Sequence, residues 1–299
     1  MRFYLTPLIL LFSKNVLAND HTVNLDVGYK KVNFAQKCVK ALAINNQIPA
    51  PTLHFKQGDT VTINVHNHLN EDTAIHWHGI ILPWQMDGVA GITQQGIKPG
   101  KSFQYKLKVE QSGTYWYHAH AGLQEQQGIY GAFIIDPPQQ PSYHYTKEYV
   151  IVLSDWSNTH PEKILANLKN EGDYYSPNMP MQPSLMRFIH DYSTANKKER
   201  KNLVDDYKMM QKMRMSIYDI NDVAYDAILL NGQTTSNPWT AHVNKGDLVR
   251  LRFIGAGGST VFHVKLPNAH MEMVQVQGND VEHYPIKDFT IAPGETYDL

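Results

Sequence analysis

Three short segments of this chain occur twice, in the same order along the sequence. The matched pairs are Ile44-Asn45-Asn46-Gln47 with Leu230-Asn231-Gly232-Gln233, Gly58-Asp59-Thr60-Val61 with Gly246-Asp247-Leu248-Val249, and Ile97-Lys98-Pro99-Gly100 with Ile291-Ala292-Pro293-Gly294. Internal self-similarity constrains architecture more than a single motif does, because each copy has to fold into the same unit. The 299 residues also exceed the ~100–200 residues of one domain. The repeat therefore predicts two copies of one domain.

Short alternating strands make up the first copy. In Thr60 to Val65 the apolar residues Val61, Ile63 and Val65 share one face, which is the pattern of a half-buried strand. Turns rich in Gly, Pro and Asn separate such runs, as is typical of a β-sandwich. We therefore predict an all-β fold of two tandem sandwiches.

A proline-rich run separates the two copies. Asp136 to Pro141 contains three prolines, and proline cannot continue a central strand. The apolar run Tyr149 to Leu153 then opens a new strand. We place the first domain at residues 19–137, a linker at 138–147 and the second domain at 148–299.

The second domain is predicted to carry a helical insertion at about residues 161–222. Its strand pattern lapses there into helix-like stretches, Glu162 to Leu168 and Lys197 to Met213. The insertion holds seven of the eleven methionines: Met179, Met181, Met186, Met209, Met210, Met213 and Met215. Thioethers favour Cu(I), so these residues are candidates for gathering copper. Methionine is also a common core filler, and we favour packing.

The repeat also predicts that the second sandwich is truncated at its C-terminus. Leu299 aligns with Tyr105, and in the first copy at least three further strands are expected after Tyr105. A sheet without those neighbours would leave backbone groups unpaired. We therefore expect further residues to complete this domain.

The first 18 residues have the features of an export signal. Met1 and Arg2 give a basic start, Leu5 to Phe12 an apolar stretch, and Val16-Leu17-Ala18 a small-residue cleavage site. A buried first strand or helix is the alternative. Because no other stretch approaches the ~20 apolar residues of a membrane span, we expect an extracytoplasmic protein without one.

Composition indicates metal chemistry. The chain has 15 His and 11 Met but a single Cys, a balance that favours imidazole and thioether ligands over a disulfide scaffold. The formal net charge of −1 suggests neither nucleic acid nor an anionic membrane as a partner.

Two His-x-His motifs are the strongest functional signal. His76 and His78 lie in one predicted strand, and His118 and His120 in another. Because alternate side chains of a strand point the same way, each pair directs two imidazoles to one face. A lone His-x-His is often just exposed polar surface. Two of them on aromatic strands predict four converging nitrogen ligands, which suit copper, zinc, iron or nickel.

The region from His76 to Pro137 resembles the multicopper oxidases, in particular the periplasmic copper-resistance protein A branch. The motifs that carry the resemblance are His76-Trp77-His78-Gly79, Met86-Asp87-Gly88-Val89, Gly113-Thr114-Tyr115-Trp116-Tyr117-His118-Ala119-His120, Gln124-Glu125-Gln126 and Tyr130-Gly131. Leu153-Ser154-Asp155-Trp156 and the Met-rich insertion extend it, so it covers nearly all of the chain after the signal. The resemblance implies cupredoxin-like Greek-key sandwiches.

The resemblance also implies a copper cofactor set. In the family a type 1 copper takes electrons from the substrate, and a trinuclear cluster of one type 2 and two type 3 coppers reduces O2 to water. Carried over by position, His76 binds the type 2 copper, His78 and His118 bind one type 3 copper, and His120 binds the other.

The remaining ligands belong, in the family, to two motifs near the C-terminus. Neither motif is in this sequence, and no histidine flanks the single cysteine, Cys38. The resemblance therefore implies that a further C-terminal cupredoxin domain supplies the type 1 copper and the other half of the cluster. We expect the chain as given to be inactive on its own.

Asp87 is the candidate catalytic residue. It follows His76 by eleven residues, where the resemblance places a carboxylate that helps to deliver protons to reduced oxygen. Met86-Asp87-Gly88 is also good turn chemistry, so a structural role is the alternative.

The sequence thus predicts a copper-dependent oxidoreductase that couples oxidation of Cu(I) or another reductant to O2 reduction in copper resistance. The partners are Cu(I) and Cu(II) ions and O2. One alternative is a copper-binding or sequestering protein without turnover, and another is a zinc hydrolase with three histidine ligands. Two other candidate sites, His66-x-His68 and His263, are expected to be surface residues.

Overall fold

The computed structural model describes residues 18–170, 185–212 and 223–299, and β-strands dominate it. The first domain contains β1 (Asp20–Val32), β2 (Val39–Ile44), β3 (Ala50–Lys56), β4 (Thr60–Asn67), β5 (Ile75–His78), β6 (Ser102–Lys108), β7 (Gly113–Ala119) and β8 (Tyr130–Asp136). Two 3-10 turns, Trp84–Met86 and Glu125–Gln127, follow β5 and β7. The predicted all-β class is confirmed.

Two four-stranded sheets form the first domain. Their strand orders are β2-β1-β4-β6 and β3-β8-β7-β5, with β1 and β4 parallel. The alternation in β4 buries Val61, Ile63 and Val65, and Trp77 and Phe133 reach the same core from the other sheet. This packing fixes which face of β5 and β7 points away from the core.

The second domain follows from β9 onward. Its elements are β9 (Lys147–Trp156), α1 (Pro161–Asn170), α2 (Leu185–Thr194), α3 (Lys197–Lys212), β10 (Ala227–Leu230), β11 (Val249–Gly255), β12 (Phe262–Val264), β13 (Met271–Val276), β14 (Asn279–Ile286), β15 (Phe289–Ile291) and β16 (Thr296–Asp298). Its main sheet has the order β10-β9-β11-β16-β13-β14, and β12 pairs with β15. The first four strands repeat the order and directions of β2-β1-β4-β6, including the parallel pair β9–β11.

The repeated asparagines have the same role in both domains. Asn45 accepts a hydrogen bond from the Asp26 N–H at 2.7 Å and donates to the Asn24 carbonyl at 3.1 Å. Asn231 accepts from the Val152 N–H at 2.7 Å and donates to the Val150 carbonyl at 2.9 Å. Both residues have positive φ, 49° and 51°, a conformation that asparagine tolerates better than most residues. Each therefore ends a strand and ties it to the neighbouring strand.

A buried polar network joins the two domains. The Thr114 hydroxyl of β7 donates to Asp298 at 2.7 Å and accepts from Arg252 at 3.0 Å. Arg250 donates to the same Asp298 carboxylate, and Thr296 donates to the Thr114 carbonyl at 2.9 Å. Burial raises the pKa of Asp298, while the two guanidinium groups and the Thr114 hydroxyl stabilise its ionised form. Removal of one partner would leave buried polar groups unsatisfied.

The helical insertion contains the two predicted helices and one that the sequence did not predict. α1 covers the first expected stretch, and α3 covers the second from Lys197 to Lys212, beyond which Met213 lies outside the described residues. α2 occupies a segment expected to be irregular. In α2, Phe188 stacks on Tyr207 of α3 with ring centroids 4.3 Å apart, a contact between helices that local patterning does not show. The predicted linker lies between β8 and β9, although Lys147 already belongs to β9.

Some predictions concern residues outside the described ranges. These are residues 1–17 of the signal and the methionines Met179, Met181, Met213 and Met215. Met209 is described and half exposed, which weighs against the packing interpretation for this residue. Within residues 18–170, 185–212 and 223–299, no helix has both the length and the apolar character needed to cross a membrane.

Candidate metal centre

Strands β5 and β7 bring the predicted histidines together. In their antiparallel register His76 lies opposite His118 and His78 lies opposite Trp116. The His120 N–H donates to the Ala74 carbonyl at 2.9 Å, which continues the same register by one step. The alternate residues Ile75, Trp77 and Tyr117 are buried in the core. All four imidazoles therefore project from the other face of the sheet.

Three of the four imidazoles present ring nitrogens to one point. One nitrogen from each of His76, His78 and His118 lies within 4.8 Å of the others, the one such grouping of His, Cys, Asp or Glu found among the described residues. His78 Nδ1 and His118 Nε2 are 3.3 Å apart, close enough to share one ion. His120 is exposed, and its ring centroid lies 5.5 Å from that of His76 and 6.0 Å from that of His118.

Hydrogen bonds fix the tautomer of His76. Its Nδ1 lies 2.7 Å from the Asp87 backbone carbonyl and 3.4 Å from the Asp87 carboxylate. Both groups are acceptors, so Nδ1 carries the hydrogen and Nε2 keeps a lone pair for a metal.

Asp87 has this position because of the turn that contains it. It caps the 3-10 turn Trp84–Met86, with its N–H donating to the Trp84 carbonyl at 3.2 Å. Gly88 has φ of +81°, and a Cβ there would collide with the Ile75 carbonyl of β5. The turn is therefore pressed against the histidine strand. Asp87 therefore both closes a turn and lies beside His76. Its role in proton delivery stays a prediction.

The environment keeps two of the imidazoles neutral. Burial first, and then the neighbouring imidazoles of His118 and His76, lower the pKa of His78 from 6.5 to about 4. Burial also lowers the pKa of His76, although the Asp87 contact opposes this shift. A neutral imidazole is the form that binds a metal, so both residues are ready to bind one at neutral pH.

Sequence reasoning missed Glu125. Its carboxylate lies 2.8 Å from His118 Nδ1. The residue belongs to Gln124-Glu125-Gln126, one of the motifs of the family resemblance, but the motif itself gave no reason to assign it a role. Only the fold of the segment after β7 brings the carboxylate back to the strand.

The second domain also reaches the site. A Cβ placed on Gly294, in the repeated Pro-Gly turn, would lie 3.3 Å from His78 Nε2. The Pro-Gly turn therefore lies beside Nε2 of the His78 ring, whereas Nδ1 of the same ring faces His118. Ala119, Leu123, Gln126 and Gly258 of the two domains, with His118 and His120, line a cavity of about 290 Å³ beside the site.

The other candidate histidines remain apart from this centre. His66 contacts Ser102 at 2.6 Å, whereas His68 contacts Asp26 at 3.2 Å, so their side chains have separate partners. His263 is 61% exposed and lies 3.5 Å from Asp288. The structure thus agrees with their interpretation as surface residues.

The donor set fits copper. The site offers neutral imidazoles from two rigid strands, and two of the rings have one nitrogen committed to an acceptor and the other available. Imidazole suits copper, and also zinc, so the donors alone leave a choice between these metals.

Comparison with known proteins settles the family. Models of a family described as multicopper oxidase match residues 26–140 and 147–299. Copper resistance protein A of Escherichia coli is 41% identical over 278 residues, which are 92% of this chain and 45% of that protein. Its namesake from Pseudomonas syringae pv. tomato is 39% identical, with the same 92% and 45% coverage. This chain therefore spans about half the length of the curated relatives it matches.

A solved structure gives the same result. The blue copper oxidase from Nitrosomonas europaea superposes with a TM-score of 0.68 at 26% sequence identity, and the match covers 93% of this chain and 74% of that one. The resemblance inferred from the His-x-His motifs is confirmed.

Proposed function

The chain belongs to the multicopper oxidase family, and from that premise we propose that it supplies half of a copper cluster to an oxidoreductase that reduces O2 to water. The observation that carries the proposal is the convergence of His76, His78 and His118 within 4.8 Å on one face of β5 and β7, with His120 on the same face.

We assign the four imidazoles to three ions. His78 and His118, whose nitrogens are 3.3 Å apart, hold one type 3 copper together. His76, whose free nitrogen is Nε2, holds the type 2 copper. His120, which is not among the three residues whose ligand nitrogens lie within 4.8 Å of one another, holds the second type 3 copper. The 3.3 Å between His78 Nδ1 and His118 Nε2 supports the assignment of these two residues to one ion.

Copper bound here would transfer electrons from Cu(I) or another reductant to O2, which with four electrons and four protons gives two molecules of water. The chain's own residues bind and orient the metal. Asp87 holds His76 through its backbone carbonyl, and its carboxylate, 3.4 Å from the same ring, is positioned to supply a proton.

Electrons have to reach the cluster from a centre that this sequence does not contain. The one cysteine, Cys38, is exposed and has no histidine beside it in sequence, so the thiolate and imidazole ligands of a type 1 copper are missing. We propose that a further cupredoxin domain supplies them, together with the other imidazoles of the cluster. Oxidase activity is accordingly proposed for the assembled protein.

We also propose a periplasmic location and a role in copper resistance. The support is the predicted signal peptide at residues 1–18 and the similarity to copper resistance protein A of two bacteria. The reducing substrate is then Cu(I) or a small organic reductant.

Copper binding without turnover is the second candidate function. It is supported by the three imidazoles whose nitrogens lie within 4.8 Å of one another, since binding needs these ligands but no route for electrons. Oxygen consumption distinguishes the two functions, because sequestration needs none.

A direct test compares two double variants of the chain. Copper content and affinity are measured by competition with a chromophoric chelator for the wild type, for His118→Ala with His120→Ala, and for His66→Ala with His68→Ala. The first double variant should lose copper, whereas the second, with the same residue spacing but separate partners, should bind like the wild type. Full copper retention by the first, or equal losses by both, would contradict the proposed site.

A further inference from the structure

His118 is the most buried of the four histidines, at 7% exposure, and its ring is held on several sides. Trp116 stacks on it with centroids 4.3 Å apart and planes 20° apart. Its Nδ1 faces two acceptors, the Glu125 carboxylate at 2.8 Å and the Ala119 carbonyl at 3.0 Å. Because both are acceptors, the hydrogen lies on Nδ1 and the lone pair on Nε2, the atom that faces His78.

Glu125 is itself held in place. The 3-10 turn that contains it is closed by a hydrogen bond from the Gly128 N–H to the Glu125 carbonyl at 3.0 Å. The preceding residue, Gln124, is 2% exposed. It accepts from the Thr73 hydroxyl at 2.7 Å and donates to the Asp72 carbonyl at 2.8 Å. Asp72 and Thr73 lie just before β5, so one short segment positions both His76 and the turn that carries the Glu125 carboxylate.

The two tautomers are fixed by different means. For His76 the near acceptor is a backbone carbonyl, which no side-chain substitution removes. For His118 the Ala119 backbone carbonyl accepts a hydrogen bond at 3.0 Å, and the Glu125 side-chain carboxylate lies closer to the same nitrogen, at 2.8 Å. A carboxylate that accepts from a metal-binding imidazole orients the ring and increases its basicity, and loss of such a partner typically lowers metal affinity by about 10–100-fold.

We propose that Glu125 is a positioning residue for the metal centre, which holds the His118 ring in the tautomer that presents Nε2 to the ion. The inference rests on the proposed copper site, but it makes a claim about the metal-free protein as well. The Ala119 carbonyl also accepts a hydrogen bond from Nδ1, at 3.0 Å, and without the carboxylate this one bond leaves the second tautomer accessible.

Two separate measurements test this role, one of the His118 tautomer and one of the affinity for Cu(II). In the metal-free chain, nitrogen-15 NMR of the histidine rings reports which nitrogen of His118 carries the hydrogen. In a second measurement, competition with a chromophoric chelator gives the affinity for Cu(II). The variants are Glu125→Ala, Glu125→Gln, whose amide oxygen can accept the same hydrogen bond, and Gln127→Ala, which changes the same turn without touching the carboxylate.

We expect His118 in Glu125→Ala to populate both tautomers and the Cu(II) affinity to fall about 10–100-fold. Glu125→Gln should keep the Nδ1–H tautomer and recover most of the affinity, and Gln127→Ala should match the wild type. An unchanged His118 tautomer in Glu125→Ala would overturn the inference. Loss of the Nδ1–H tautomer in Glu125→Gln would also overturn it, and this second variant provides the test if Glu125→Ala does not fold. If the wild type binds no Cu(II), the proposed function fails, and the tautomer measurement still tests the positioning role.

Discussion

Thr114 and Asp298, 184 positions apart in the chain, share a buried hydrogen bond of 2.7 Å across the domain boundary. Thr114 is 1% exposed and Asp298 is fully buried. Thr114 belongs to β7, the strand that also carries His118. The position of the histidine strand is therefore fixed both by the core of its own domain and by the second domain.

Replacing Thr114 by valine should destabilise the protein. The substitution keeps the branched shape but leaves Asp298 and Arg252 each short of one buried hydrogen-bond partner, at a cost of roughly 1–3 kcal/mol. Denaturant unfolding measures the loss. Thr62→Val, a like substitution on half-buried β4, serves as the control and should change the unfolding free energy by less than about 0.5 kcal/mol. Equal effects of the two substitutions would show that the interdomain bond contributes little.

Gly294→Ala should weaken copper binding, whereas Gly100→Ala should not. Both glycines have positive φ, +86° and +69°, so each alanine costs about 1–2 kcal/mol of backbone strain. Only the Cβ at position 294 would come within 3.3 Å of His78 Nε2, since nothing lies within 4 Å of the one at position 100. Affinity for Cu(II) and unfolding free energy are measured for both variants. If copper affinity falls equally in both, the effect comes from backbone strain rather than from contact with His78.

Asp87→Asn should leave copper binding nearly unchanged. The near acceptor of His76 is the backbone carbonyl of this residue, which the substitution preserves. In the assembled oxidase the same variant should reduce O2 roughly 10²-fold more slowly, because an amide cannot deliver a proton. Copper content and O2 uptake are measured on the same preparation. A full rate, or a loss of copper, would return Asp87 to a purely structural role.

Asp59 should stabilise the fold above pH 4 and lose that effect in acid. Burial acts to raise the pKa of Asp59, but the N–H groups of Lys56 and Asn19 and the His21 ring outweigh it and hold the pKa below 3.8. A lowered carboxyl pKa contributes stability above the unfolded value of 3.8, and this is lost as pH falls through the folded value. Asp59→Asn should therefore be less stable than wild type at pH 6, and the gap should close toward pH 2. A gap independent of pH would point to packing instead.

The sequence repeat predicted more of the structure than any other feature. The aligned Asn45 and Asn231 make matching hydrogen bonds, and the aligned Gly100 and Gly294 both adopt positive φ. The common orientation of the two histidines in each His-x-His strand could also be predicted, because alternation in a strand determines which side chains share a face. In each case the signal lies within a few consecutive residues, where local geometry is dictated by the backbone.

Contacts between distant segments were not predictable in the same way. The pairing of Glu125 with His118, the stacking of Phe188 on Tyr207 and the Thr114–Asp298 bond all depend on tertiary packing. A single sequence carries no local pattern for such contacts. Strands β13 and β14 extend the second sheet beyond the part that the first domain shares, and this extension likewise depends on pairing between distant segments.

The stacking of Trp116 on the site gives the protein its own optical probe. The indole lies 4.3 Å from the His118 ring and 4.9 Å from the His78 ring, between two residues that we assign to the same ion. Cu(II) is paramagnetic and quenches nearby excited states, so emission from Trp116 should fall as the metal arrives. Loading of the centre can thus be followed in real time without a label.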